Sequence, residues 1–142
     1  MYSMEVNLKL DKNNRIIGIN SLGLETYFDS HVQSGGDDSA ATPMEVCLEA
    51  MGACGYLDVI SIIRKKRKTV TDLKINLKAE RATQHPMVIT SVHMIIELIS
   101  PDAEMSELER AVQLSQETYC GVSAMFKRSG CTVTYECHLT RP

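Results

Sequence analysis

Five cysteines are the residues in this 142-residue chain best able to do chemistry: Cys47, Cys54, Cys120, Cys131 and Cys137. The count is odd, which disfavours a static disulfide scaffold. No Cys-x-x-Cys occurs and the four histidines (His31, His85, His93, His138) are scattered, so the spacing argues against structural zinc and no metal is expected. That leaves thiols to be sorted between packing and reactivity. Cys131 and Cys137 alternate with polar residues in Cys131–Leu139 and read as core positions on one face of a strand. Cys47 and Cys54 lie seven residues apart on one helix face, about 10.5 Å along the axis. Such a gap is too wide for a disulfide, and Cys47 reads as packing. Cys54 lies between Gly52 and Gly55 in an apolar helix. Cys120 falls at a helix break, where free amides and the positive end of the next helix favour a thiolate. On residue types alone, the pair stays open between packing and redox chemistry.

The elements that must position these thiols follow from periodicity. Residues 4–10 alternate as a half-buried strand. Asp11-Lys12-Asn13-Asn14 reads as a turn, Ile16–Ile19 as the returning strand, and Leu24–Phe28 as a third. Thr42-Pro43-Met44-Glu45 opens a helix: Thr42 as N-cap, Pro43 at its first position, Glu45 closing a capping box. This central helix is predicted over 42–67, about 35 Å long. Its middle, Ala50–Ile60, is apolar nearly all round and needs cover on every side. One sheet covers one face, so a second copy of the chain is the expected source of the rest. Two long alternating strands follow within 70–99. A second helical segment spans 102–128, started by a Ser106–Glu109 capping box and interrupted at Tyr119-Cys120-Gly121, and a last strand occupies 131–139. The prediction is one domain over 1–142, with N-terminal strands in 1–30, of the α+β class: antiparallel sheets with two main helices.

Composition narrows the function. Hydrophobic residues make up 44% and charged residues 23%, ordinary values for a folded chain. The reading finds no apolar run of about 18 residues and no signal peptide in Met1–Asn7, so it predicts no membrane span and a cytoplasmic location. Net charge is −3, yet eight of the 15 Lys and Arg lie between Arg64 and Arg81. The run Arg64–Lys68 suits the negative end of the central helix; without a nucleic-acid motif, nucleic-acid binding is not expected.

Pro43–Cys54 continuing through Leu57–Arg67 resembles the central helix of the OsmC/Ohr family, and Leu114–Met125 is similar to that family's second cysteine segment. The match is closest to the OsmC-like branch. The resemblance implies an intertwined homodimer that reduces organic hydroperoxides without a cofactor. In that scheme Cys54 attacks the peroxide, Cys120 resolves the product to a disulfide, and a small dithiol reduces it. Glu45 matches the family's glutamate within one position, though the capping box also explains it. Facing away from Cys54 on its own helix and about 13.5 Å off, it would serve a partner's Cys54 if any. The resemblance also implies an arginine from the N-terminal strands that holds the thiolate; Arg15 is the one arginine there, outside a matching motif. Asp58, one turn after Cys54, would raise the thiol's pKa. The competing reading is a non-catalytic dimer that binds a small apolar ligand in its interface groove, which suits the methionines Met44, Met51 and Met125.

Overall fold

A computed structural model describes residues 2–142; Met1, at the head of the expected segment 1–30, lies outside them. The elements run β1 (Val6–Lys12), β2 (Arg15–Asn20), β3 (Glu25–Phe28), α1 (Pro43–Lys65), β4 (Asp72–Arg81), β5 (Ile89–Ile99), α2 (Met105–Leu114), α3 (Gly121–Arg128) and β6 (Thr132–Thr140). They form an α+β fold with two three-stranded sheets, ordered β1-β2-β3 and β4-β5-β6. The chain divides into two compact units, one up to Glu49 and one from Ala50 to Pro142.

In the first unit the hairpin predicted at Asp11–Asn14 is present, with Asn13 in the left-handed region at φ 50°. The loop after β3 is organised by Asp29, whose side chain accepts bonds from the Ser30, Asp37 and Ser39 amides and from Ser39 Oγ. Those bonds, the Ser39 hydroxyl's first, pull its pKa down to about 2. Arg15 donates to Ser39 O at 2.9 Å, pairs with Asp11 at 3.2 Å and lies over the Tyr27 ring. One side of this unit is open: Val6, Leu8 and Leu10 of β1 are all more than half exposed.

In the second unit a stripe of α1, chiefly Met51, Val59 and Ile63, is buried with Leu73, Val92, Met94, Ile96 and Leu98 of the sheet and Leu108, Ala111 and Val112 of α2. Gly52 lets the helix close on the sheet, since a Cβ there would lie 2.8 Å from Leu77 Cδ1. Tyr56 donates its hydroxyl to Leu73 O at 2.7 Å and fixes the approach.

Several expectations are corrected. The sheets are not wholly antiparallel: β5 pairs with β6 in parallel, from Ser91↔Thr132 to Ile99↔Thr140, because residues 100–131 carry the chain back across the sheet. The second helix is capped by Glu104, with Glu107 bonding back to the Glu104 amide at 2.9 Å; Ser106 and Glu109 are simply part of the helix. The central helix ends at Lys65, and Arg67 turns left-handed at φ 59°. Cys47 is exposed rather than packed: it continues the row of Met51, Gly55, Val59 and Ile63 toward the helix start, but burial on that row begins only at Met51. By length and composition α1 could cross a membrane, contrary to the reading of its apolar run, although its buried stripe packs in a sheet-lined core. Only 28% of its most apolar window is covered by this chain.

The tightest backbone approach is at Gly36, where a Cβ would sit 2.0 Å from Ser30 O. A carbonyl cannot swing aside as a side-chain tip can. Gly36→Ala is expected to destabilise the fold by about 2 kcal/mol or more. Gly121→Ala, whose Cβ meets nothing within 4 Å, should change stability far less. Urea unfolding of both variants checks the contrast.

Candidate active site

Cys54 lies midway along α1 and is half-buried; Cys120, 66 positions later in the chain, is buried at the N-terminal cap of α3. What unites them is the end of α2. There the backbone widens into a single π-helical turn, Ser115–Tyr119, before breaking at Cys120 with extended dihedrals (φ −78°, ψ 98°). Cys120 N–H bonds back to Ser115 O at 2.7 Å and closes the turn. The next turn begins at once, and Ser123 N–H donates to Cys120 Sγ at 3.3 Å. The sulfur thus takes the place of a capping oxygen, at the end of a helix where negative charge is favoured.

Asp58 completes the group. One turn after Cys54, it accepts a hydrogen bond from Ser115 Oγ on Oδ2 at 2.8 Å. The ligand atoms of Cys54, Asp58 and Cys120 all lie within 4.8 Å of one another. Gly55 faces the same turn, and a Cβ there would be 3.4 Å from Gln116 Nε2. Lys127 donates to Gln116 O at 2.8 Å and braces the turn from α3. Gln116 Oε1 and Ser123 Oγ are buried polar atoms without a hydrogen-bond partner. Beside Asp58 opens a groove of about 530 Å³ lined by Ile62, Leu114, Tyr119, Lys65 and Lys66.

The electrostatics favour the neutral thiol. Burial, the hydrogen bond with Cys120 and the charge of Asp58 raise the Cys54 pKa above the ordinary thiol value, and the Val122 amide only partly opposes them. Of the expected site residues, then, the fold brings Cys54 and Cys120 together. Glu45 is engaged elsewhere: its Oε1 accepts from Thr42 N–H at 2.9 Å and from Thr42 Oγ1 at 2.7 Å, while Thr42 Oγ1 accepts the Glu45 amide. These bonds, the backbone one foremost, hold its pKa low. Cys131 and Cys137 behave as packing groups: burial raises Cys131, and burial with Glu109 pushes Cys137 up to about 11. The sequence reading did not identify Ser115, Ser123 or the Val122 amide as parts of the site, because their roles arise from the π turn.

Residues 36–136 match the OsmC-like protein family. The chain belongs to that family. Within it, the OsmC-like chain described here is 32% identical to protein YhfA of Escherichia coli strain K12 over 134 residues, covering 94% of this chain and 97% of YhfA. A hypothetical protein from Aquifex aeolicus VF5 has the same fold with a TM-score of 0.86 and 32% identity, over 100% of this chain and 99% of that one. An organic hydroperoxide resistance protein OsmC from Legionella pneumophila superposes with a TM-score of 0.67 at 14% identity, over 97% and 98% of the two chains, a likeness of fold alone.

Two titrations test these environments. The iodoacetamide reaction rate of Cys54 is expected to keep rising beyond pH 9, with little reaction at pH 7; mass-spectrometric mapping over that range would show it. For Cys137, the folded value near 11 exceeds the unfolded value of about 8.5. Its contribution to stability is therefore complete below about pH 8.5 and lost as pH climbs through 11. The urea midpoint should fall across that window, and Cys137→Ala should flatten the fall.

Proposed function

We infer that this OsmC-like chain reduces organic hydroperoxides, with Cys54 as the attacking thiol and Cys120 as the resolving one. The observation that carries the reading is the meeting of both sulfurs with Asp58 inside 4.8 Å, where Asp58 also lines a partly apolar groove. Asp58 takes the Cys54 proton, and the thiolate attacks the nearer peroxide oxygen. The O–O bond breaks, Cys54 becomes a sulfenic acid, and the leaving alkoxide recovers the proton as an alcohol. Cys120 then attacks the sulfenic sulfur, expelling water and leaving a Cys54–Cys120 disulfide. A small dithiol returns both thiols by exchange and is itself oxidised to a cyclic disulfide. Related folds named for organic hydroperoxide resistance support the substrate class.

The working unit is a homodimer. Supporting this are the incomplete cover of α1, Leu57 at 69% exposure, and the open row Val6, Leu8 and Leu10. A reducing cytoplasm suits a chain with five free thiols. Glu45, held by Thr42 at the helix start, would serve the Cys54 of a second copy of the chain. The raised Cys54 pKa favours a second reading, a non-catalytic dimer that binds a small apolar ligand.

Treating the reduced chain with cumene hydroperoxide separates the two. A Cys54–Cys120 disulfide, mapped by mass spectrometry, is expected within seconds. Cys54→Ser should abolish hydroperoxide consumption, and Cys120→Ser should leave a trappable sulfenic acid. Thiols unchanged after prolonged exposure would instead establish the binder. By sedimentation, the chain should run as a dimer and Leu8→Glu should shift it toward monomer.

A further inference from the structure

We propose that Cys54, Cys120 and Asp58 form a binding site for a thiophilic divalent cation of the zinc class, on the same thiols as the proposed peroxide chemistry but not dependent on it. Cysteine spacing argues against a closed four-ligand zinc site. The fold, however, brings together three donors that the sequence keeps apart. Their ligand atoms lie within 4.8 Å of one another. Ligands on a tetrahedral zinc, with Zn–S near 2.3 Å, are separated by roughly 3.8 Å, so a shift of about 1 Å closes the set. Two sulfurs and one carboxylate select zinc or cadmium over magnesium or calcium, which prefer all-oxygen sites.

The surroundings fit a metal-bound state. Ser115 Oγ fixes one Asp58 oxygen at 2.8 Å, the kind of outer support that orients a ligand carboxylate. Ser123 N–H already bonds Cys120 Sγ, and the Val122 amide acts on Cys54, so backbone donors face both sulfurs. Amides placed in this way stabilise thiolates, the form a metal requires. Cys120 is buried while Cys54 and Asp58 are half-buried, so the ion can reach the group from the side of Cys54 and Asp58. On binding, two thiol protons are released and two metal–sulfur bonds form, with no change of oxidation state. Occupancy removes both sulfurs from reaction with peroxide, so the metal acts as a reversible block on the same thiols.

The test uses the full chain, reduced and metal-free, without peroxide. Titration with Cd²⁺ alone is expected to give a sulfur-to-cadmium absorption band that saturates at one ion per chain. Cys54→Ser and Cys120→Ser should each remove about half of that band. Asp58→Asn should keep the band but weaken binding more than tenfold, and Ser115→Ala should weaken it about tenfold. In the unsubstituted chain, Zn²⁺ should shield Cys54 and Cys120 from iodoacetamide at pH 9 while Cys47 still reacts, a measurement that does not depend on any variant folding. Equal shielding of Cys47, an undiminished band in Cys54→Ser, or unchanged affinity in a folded Asp58→Asn would overturn the site. A chain that binds Cd²⁺ in this way yet ignores hydroperoxide keeps the metal site and loses only the peroxide reading; the reverse outcome does the opposite.

Discussion

The hydrogen bond from Ser115 to Asp58 is the contact on which the second unit's chemistry depends. It joins residues 57 positions apart, one on the central helix and one in a widened turn. On one side it sets the carboxylate beside Cys54. On the other it anchors the turn whose far end presents Cys120. Loss of this bond would leave a half-buried carboxylate without its neutral donor and the turn without its tie to α1. Gly55 allows the two segments to approach at this point, and Lys127 holds the turn from behind.

The environment this contact creates works against easy ionisation of the thiols. Arg15 is engaged with Asp11, Ser39 and Tyr27 in its own unit, and Cys54 has burial and a carboxylate acting on it. A site of this kind keeps its nucleophile protonated until something removes the proton or replaces it. Asp58 suits both routes, as a proton acceptor in one and as a ligand in the other. The peroxide chemistry and the metal site proposed above would draw on the same three side chains and exclude each other.

Much of the architecture was legible because local rules and tertiary packing agree. Thr42 and Glu45 bond as the capping box predicts, and the period-two patterns of β4 and β5 persist as strands. The failures have separate physical causes. The direction of β6 is set by the 32-residue connection 100–131, not by its own alternation, so its parallel pairing left no mark on the strand. Glu104 outcompeted Ser106 as the cap because a carboxylate can accept the same amide bond. Cys47 shares a heptad position with Cys54 and lies only about 20° from it round the axis, but it falls two turns nearer the helix start, in the first unit, and is exposed. The π turn is invisible to hydrophobic periodicity, and with it the roles of Ser115 and Ser123.

That turn holds one residue more per revolution than the helix it extends. Each residue of an α-helix advances the chain by about 100° around its axis. A register set in this way works like a vernier: shortening the turn by one residue would return it to ordinary helix and rotate everything downstream by roughly that angle. The sulfur at position 120 would then sweep away from the central helix, and the neighbouring positions, a tyrosine and a glycine, offer no thiol in its stead. Length, as much as residue identity, therefore sets where this segment places its sulfur, and an alignment that puts a gap there would discard the feature that brings the sulfurs together.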